Sequence, residues 1–181
     1  EYMGSINKAS VLGLNENIPV EAKDKKKTMV FFSTEIPGGY GWMFPKKESI
    51  NLGIGCRAPY GRAAGSPGLK EIYRDFKDKI LSMDLIMPKD SGDRVPPGKI
   101  TAGLIPSSGM IEDPVKGRFV LVGDAAGLTN AITGAGIYNS VLSARIVSRD
   151  LGRALEEDDP EIMEEVKDEY RNTFGISLSR A

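Results

Sequence analysis

Two stretches of this sequence carry residue types that could do chemistry. The first is GDAAGLTNAITGAG, residues 123–136, which pairs one acid, Asp124, with the small trio Gly134-Ala135-Gly136 twelve residues on. It follows the apolar run FVLV. A carboxylate at a strand's carboxyl edge stands where ligands bind in open α/β sheets. It can accept hydrogen bonds from ribose or sugar hydroxyls, or from backbone N–H groups of its own turn. A helix opening at Gly134-Ala135-Gly136 leaves its first N–H groups uncovered. Its partial positive charge favours a nearby anion by about 0.3–1 kcal/mol. The same glycines would also permit tight helix packing. Together the two features suit a ligand with a polyol part and an electron-rich ring.

The second stretch is YGWMFP, residues 40–45. Alternation puts Tyr40, Trp42 and Phe44 on one side of a strand. Such rings bury roughly 150–250 Å² each, so leaving all three in water would forgo on the order of 10 kcal/mol gross. They must cover something apolar, either core or an apolar ligand.

Composition narrows the chemistry. The 181 residues contain no histidine and one cysteine, Cys56. That removes Ser-His and Cys-His nucleophile systems, most zinc sites and any internal disulfide. Proton transfer would fall to carboxylates, Lys, Tyr, Cys56, water or a cofactor, with Tyr40 and Cys56 the candidate donors and no catalytic residue assigned. A formal net charge of −1 without a basic stripe excludes a nucleic-acid footprint. KDKKK at 23–27 reads as a solvated loop. No apolar run is long enough for a membrane-spanning helix, and the expected location is cytoplasmic. GIGCRA, 53–58, matches a short dinucleotide fingerprint, but Pro59 and Gly61 follow where a helix must start. Gly53 and Gly55 read instead as strand glycines beneath a closely approaching group.

The elements that must position these residues are legible in outline. Residues 29–33, 40–44 and 50–56 are short, β-rich and separated by turns, which predicts an antiparallel meander. A helix follows, with Ser66 as cap, Pro67 in the first position, and Leu69, Ile72, Tyr73, Phe76, Ile80 and Met83 on one face. A Pro- and Gly-rich stretch at 88–98 breaks the pattern, and 99–106 reads as a strand. Residues 118–124 read as a strand buried on both faces. A helix is expected from near Gly134, with Ile137, Val141, Ala144, Leu151 and Leu155 on one face and Arg145, Arg149 and Arg153 on another. Asp159 and Pro160 open a last helix with Ile162, Val166 and Tyr170 recurring every four residues. The fold class is α+β, a mostly antiparallel sheet region with helices to about residue 105, a strand-loop-helix unit over about 106–155 and a helical tail.

With these motifs in hand, VLVGDAAGLTNAITGAGIYNSVLSARI resembles the second flavin-contacting motif of FAD-dependent oxidoreductases of the p-hydroxybenzoate hydroxylase superfamily. The resemblance implies that Asp124 holds the FAD ribose hydroxyl, and that Gly134, Ala135, Gly136 and Ile137 face the pyrimidine end of the flavin. Ala131 stands where that family usually has Pro. YGWMFPKKESINLGIG fits Y-x-W-x-F-P, seven residues, then G-x-G, and is similar to the signature of the geranylgeranyl reductase family within that superfamily. There the motif lines a prenyl cavity, which makes Tyr40, Trp42, Phe44, Pro45, Gly53 and Gly55 the implied substrate contacts. The match covers about residues 28 to 175.

The resemblance implies FAD-dependent reduction of carbon–carbon double bonds in geranylgeranyl chains of isoprenoid lipids. Its implied partners are the lipid, an electron donor such as NAD(P)H or ferredoxin, and a peripheral membrane surface. Residues 1–105 would be the substrate-binding sheet region, 106–155 the C-terminal part of the FAD-binding domain, and 156–181 the start of a C-terminal helical region. The family's N-terminal G-x-G-x-x-G unit is missing, so a fragment of a protein roughly twice as long is expected, inactive alone and without bound FAD. Two other readings remain open. One is an electron-transfer-flavoprotein or quinone-type flavin dehydrogenase, or another FAD-dependent oxidoreductase. The other is a non-enzymatic module for apolar ligands.

Overall fold

The computed structural model describes residues 10–57, 67–87, 95, 97–130 and 132–178, without the side chains of 176 and 177. It divides into two units, Val11–Leu104 and the residues from Ile105 onward with Ser10.

The first unit is built on one five-stranded sheet. Its strands are β1 (Ser10–Ile18), β3 (Met29–Phe31), β4 (Tyr40–Pro45), β5 (Ile50–Arg57) and β7 (Lys99–Pro106), in the order β3-β4-β5-β1-β7. The meander β3-β4-β5 is antiparallel as expected, and β1 pairs antiparallel with β5. A separate ribbon joins β2 (Glu21–Ala22) to β6 (Ile86–Met87). Helix α1 (Leu69–Ser82) lays Ile72, Tyr73, Phe76 and Ile80 on the face formed by Leu14, Met43, Leu52, Ile54 and Cys56. Burying four such side chains contributes about 6–12 kcal/mol gross. The helix does not start as expected. Gly68 is the N-cap, and its N–H donates to Glu71 Oε2 at 3.2 Å; Ser66 and residues 58–61 lie outside the described residues.

The sequence reading missed β1 because Asn15, Glu16 and Asn17 interrupt its apolar alternation. Glu16 is only 2% exposed. It accepts from Tyr73 Oη at 2.7 Å, Lys77 Nζ at 2.9 Å and Gly98 N at 2.7 Å. Burial alone would raise its pKa, but the Tyr73 hydroxyl, the Gly98 N–H and the Lys77 ammonium together hold it below the usual carboxylate value. The same contact and burial push the Tyr73 hydroxyl well up. The basic run behaves as a solvated loop, with Lys23, Lys25 and Lys27 paired to Asp84, Glu21 and Asp24.

In the second unit, the expected buried strand at 118–124 is instead a short hairpin, β8 (Val115–Lys116) with β9 (Phe119–Val120). No other described strand pairs with it, and Phe119 is 52% exposed. Helix α2 (Ile137–Glu156) begins three residues later than the Gly134 start, with Gly136 as N-cap. Its apolar face is turned out: Ile137 is 86% and Leu155 75% exposed, and Val141, Ala144 and Leu151 are exposed with them. The buried side carries Ser143, Ile146, Asp150 and Ala154. Periodicity locates an apolar stripe without saying what packs on it. Here the packing is chosen by Ile162, Val166, Tyr170 and Phe174, which close on Ile146 and Ala154. Asp159 caps Pro160–Glu164 through a 2.9 Å bond from Glu161 N, as its sequence suggested, but that first turn is 3-10. Helix α3 (Glu165–Leu178) follows, clamped to α2 by Arg149–Glu169 and Arg153–Glu165 pairs.

Two outcomes are expected in chemical denaturation. Glu16→Gln leaves Lys77 facing an uncharged amide and should cost about 1–3 kcal/mol. Because the folded pKa of Glu16 is depressed, its contribution is complete above pH 4.5, the ordinary value, and is lost as pH falls through the lower folded value. The wild-type acid limb should therefore be steeper than that of Glu16→Gln. On α2, Ile146→Ala should cost about 2–4 kcal/mol, whereas Ile137→Ser or Leu155→Ser should stay within about 0.5 kcal/mol.

Candidate functional site

Helix α1, the one described helix of the first unit, packs on one face of the sheet, and the aromatic residues stand on the other. Register sets three rows across it: Tyr40 with Gly55 and Gly13, Trp42 with Gly53 and Asn15, Phe44 with Asn51 and Asn17. Val30 joins the Trp42 row. The rings form a continuous ladder. Phe32 and Tyr40 have centroids 5.9 Å apart, Tyr40 and Trp42 6.0 Å, and Trp42 and Phe44 6.1 Å. Phe32 is 80% exposed, and the sequence reading had treated it only as part of a strand. Burial raises the pKa of Tyr40, the hydroxyl of this ladder.

Gly53 shows why a bare backbone is needed under the ladder. A Cβ there would lie 2.3 Å from the Trp42 ring and 2.8 Å from Asn15 Cβ. The ring lies flat on that glycine, and its Nε1 donates to Asn51 Oδ1 at 2.8 Å. Two of the expected residues lie on the other face. Pro45 pairs with Ile50 in the core-side rows, and Cys56, fully buried, pairs with Leu12 on the same side, its thiol pKa raised by burial. A hollow of about 340 Å³ lined by Glu35, Ile36, Phe76 and Lys79 also lies by α1, and none of the expected site residues lines it. Among the described residues no three Cys, Asp or Glu converge as a metal site, and no helix is long and apolar enough to cross a membrane.

The second unit brings Asp124 and Gly136 together. Asp124 sits in a 3-10 turn, Gly123–Ala126, directly after Val122. Its Oδ1 accepts from Thr129 Oγ1 at 2.8 Å, and a Cβ on Gly136 would lie 2.7 Å from that same oxygen. The chain between them folds back on α2: Asn139 Nδ2 donates to Leu128 O at 2.7 Å, and Gly123 N to Ser143 Oγ at 3.0 Å. Asn130 organises the turn ahead of α2 by accepting from Ile132 N and Thr133 N at 3.0 Å each. Gly134, Ala135 and Ile137 are exposed, and no side chain caps the helix. Ala131 lies outside the described residues.

Gly53→Ala should push Trp42 off the sheet, break its bond to Asn51, shift the emission of this single tryptophan to the red and cost about 1–3 kcal/mol. Fluorescence and a melt of the same variant check both.

Comparison with known proteins places this geometry. Residues 12–84 match the model of the geranylgeranyl reductase catalytic domain. Digeranylgeranylglycerophospholipid reductase 2 of Methanopyrus kandleri is 32% identical over 164 residues, 87% of this chain and 39% of the relative. The digeranylgeranylglycerophospholipid reductase of Methanocaldococcus jannaschii is 37% identical over 120 residues, 66% of this chain and 28% of the relative. A geranylgeranyl bacteriochlorophyll reductase-like protein of Thermoplasma acidophilum shares the fold with a TM-score of 0.78 at 24% identity, covering 97% of this chain and 42% of that one. The chain spans about two fifths or less of the length of these proteins. With the family model lying over the aromatic ladder and its glycines, the chain belongs to the geranylgeranyl reductase family.

Proposed function

We propose that this chain carries the prenyl-binding sheet and one flavin-contacting turn of an FAD-dependent reductase that saturates carbon–carbon double bonds in geranylgeranyl chains of isoprenoid lipids. The observation that carries this reading is the four-ring ladder on the face opposite α1, inside the segment that matches the family. Rings about 6 Å apart offer unbroken apolar contact to a long branched polyene without a fixed hydrogen-bond register. Tyr40, Trp42, Phe44, Gly53 and Gly55 are the contacts, and Phe32 extends them.

The residues of the second unit fit FAD. Asp124 Oδ2 has no protein partner among the described residues, so it is free to accept from a ribose hydroxyl. Gly134, Ala135, Gly136 and Ile137 offer side-chain-poor backbone and uncapped first-turn N–H groups to a flat ring. FAD held there, once reduced by its electron donor, would supply the hydride for the alkene. A proton must follow. Tyr40 is the ionisable hydroxyl of the aromatic face, whereas Cys56 is buried on the opposite face. Electrons come from NAD(P)H, ferredoxin or a similar carrier. The lipid is met at a membrane surface from the cytoplasmic side.

Titrating the chain with geranylgeraniol should change Trp42 emission saturably. The longer parent protein, given a reductant and a geranylgeranyl lipid, should add two hydrogens per double bond by mass spectrometry. An unchanged Trp42 spectrum, or reoxidation by quinone with no lipid reduced, would sink the reading.

A further inference from the structure

The face opposite α1 changes character along its strands. Its rows run from Tyr40–Gly55–Gly13, through Trp42–Gly53–Asn15, to Phe44–Asn51–Asn17. One end is aromatic and bare, and the other is polar. At the polar end the hydrogen bonds have one sense. Asn51 Oδ1 accepts from Trp42, and Asn51 Nδ2 donates to Asn15 Oδ1 and Asn17 Oδ1 at 3.0 Å each. Thr101 Oγ1 donates to Asn15 Oδ1 at 3.0 Å, and Lys46 Nζ reaches over to Asn17 Oδ1 at 2.8 Å.

All three amide oxygens are therefore used inside the cluster. What is left unengaged is donors: the Nδ2 groups of Asn15 and Asn17 and the remaining N–H bonds of Lys46, with no further partner among the described residues. The bond to a neutral amide holds the Lys46 ammonium in place without neutralising it. A fixed array of donors around a cation suits a ligand that is all acceptor and negatively charged, which describes a phosphate ester. From Lys46 back to Tyr40 the strand rises roughly 3.3 Å per residue, or about 20 Å, room for a long extended isoprenoid chain.

We propose that Asn15, Asn17 and Lys46 form a head-group subsite for the phosphate of an isoprenoid glycerolipid. The phosphate would lie at the Phe44 end and the chain run past Phe44, Trp42 and Tyr40 toward Phe32. This rests on the prenyl-lipid reading and adds to it a polarity and a set of specificity residues. The subsite selects the head group and fixes which end of the chain lies at which ring.

The test uses Trp42 emission of this chain with two monomeric probes, geranylgeranylglyceryl phosphate and its dephosphorylated alcohol. The phosphate form should bind about tenfold tighter at low salt, and the advantage should shrink as salt is added. Lys46→Met should remove that advantage and Lys46→Arg should keep most of it, with circular dichroism unchanged in both. Equal binding of the two probes by the wild type, or equal weakening of both by Lys46→Met, overturns the subsite and leaves the prenyl-lipid reading standing. Failure of both probes to bind overturns the two together.

Discussion

The carboxylate of Glu16 is held by donors from two further parts of the chain, Tyr73 and Lys77 on α1 and Gly98 ahead of β7. A buried charge tolerates few arrangements, since leaving it unpaired costs several kcal/mol. Slipping β1 by one residue would send Glu16 to the opposite face and bring Asn15 or Asn17 into the core. The carboxylate thus pins the register of β1 against β5 and the docking of α1 at once. Because α1 is committed to one face, the aromatic ladder and the amide cluster stand on the face that α1 does not cover.

The open face then has to hold large apolar rings without a core behind them. It does so by shape rather than by burial. Trp42 lies on Gly53, where any Cβ would collide with it, and its indole N–H is tied to Asn51. Neighbouring rings meet at edge or stacked geometries that add roughly 0.5–1.5 kcal/mol per pair beyond area. The ladder is consequently ordered before any ligand arrives, so less conformational entropy is lost when a flexible chain settles on it. The amide cluster is ordered in the same way, each asparagine oxygen being occupied by a neighbour's donor.

Much of this was legible in residue order because the signals were local. Alternation placed Tyr40, Trp42 and Phe44 on one side, the turns predicted the meander, and Asp159-Pro160 marked a helix start. What was missed depended on contacts far apart in sequence. β1 was invisible because its polar residues serve two different faces, Glu16 inward and Asn15 and Asn17 outward. Lys46 and Thr101 gained meaning only when β1 brought Asn17 beside the first and Asn15 beside the second. The apolar stripe of α2 was legible as a stripe, but its exposure was not, since a hydrophobic pattern is indifferent to what covers it. Pro45 sits one residue past the aromatic alternation, and the pleat sends it to the core-side rows.

The turn that precedes α2 follows a different electrostatic logic from the amide cluster. An uncapped helix N-terminus ordinarily attracts an anion. Here Asp124 already stands beside it, its Oδ1 within 2.7 Å of the place a Gly136 side chain would begin. The carboxylate meets the demand of the helix end, and a second full negative charge at the same spot would be repelled. What such a site can accept is neutral: a hydroxyl that donates to the remaining Asp124 oxygen, and a polar ring edge that receives the first-turn N–H groups. The amide cluster, with its acceptors spent and an ammonium among its donors, has the opposite preference. Under the roles proposed for them, the two surfaces would discriminate between a sugar-bearing ring and a phosphate-headed lipid through the sign of a single charged side chain each, Asp124 in one and Lys46 in the other.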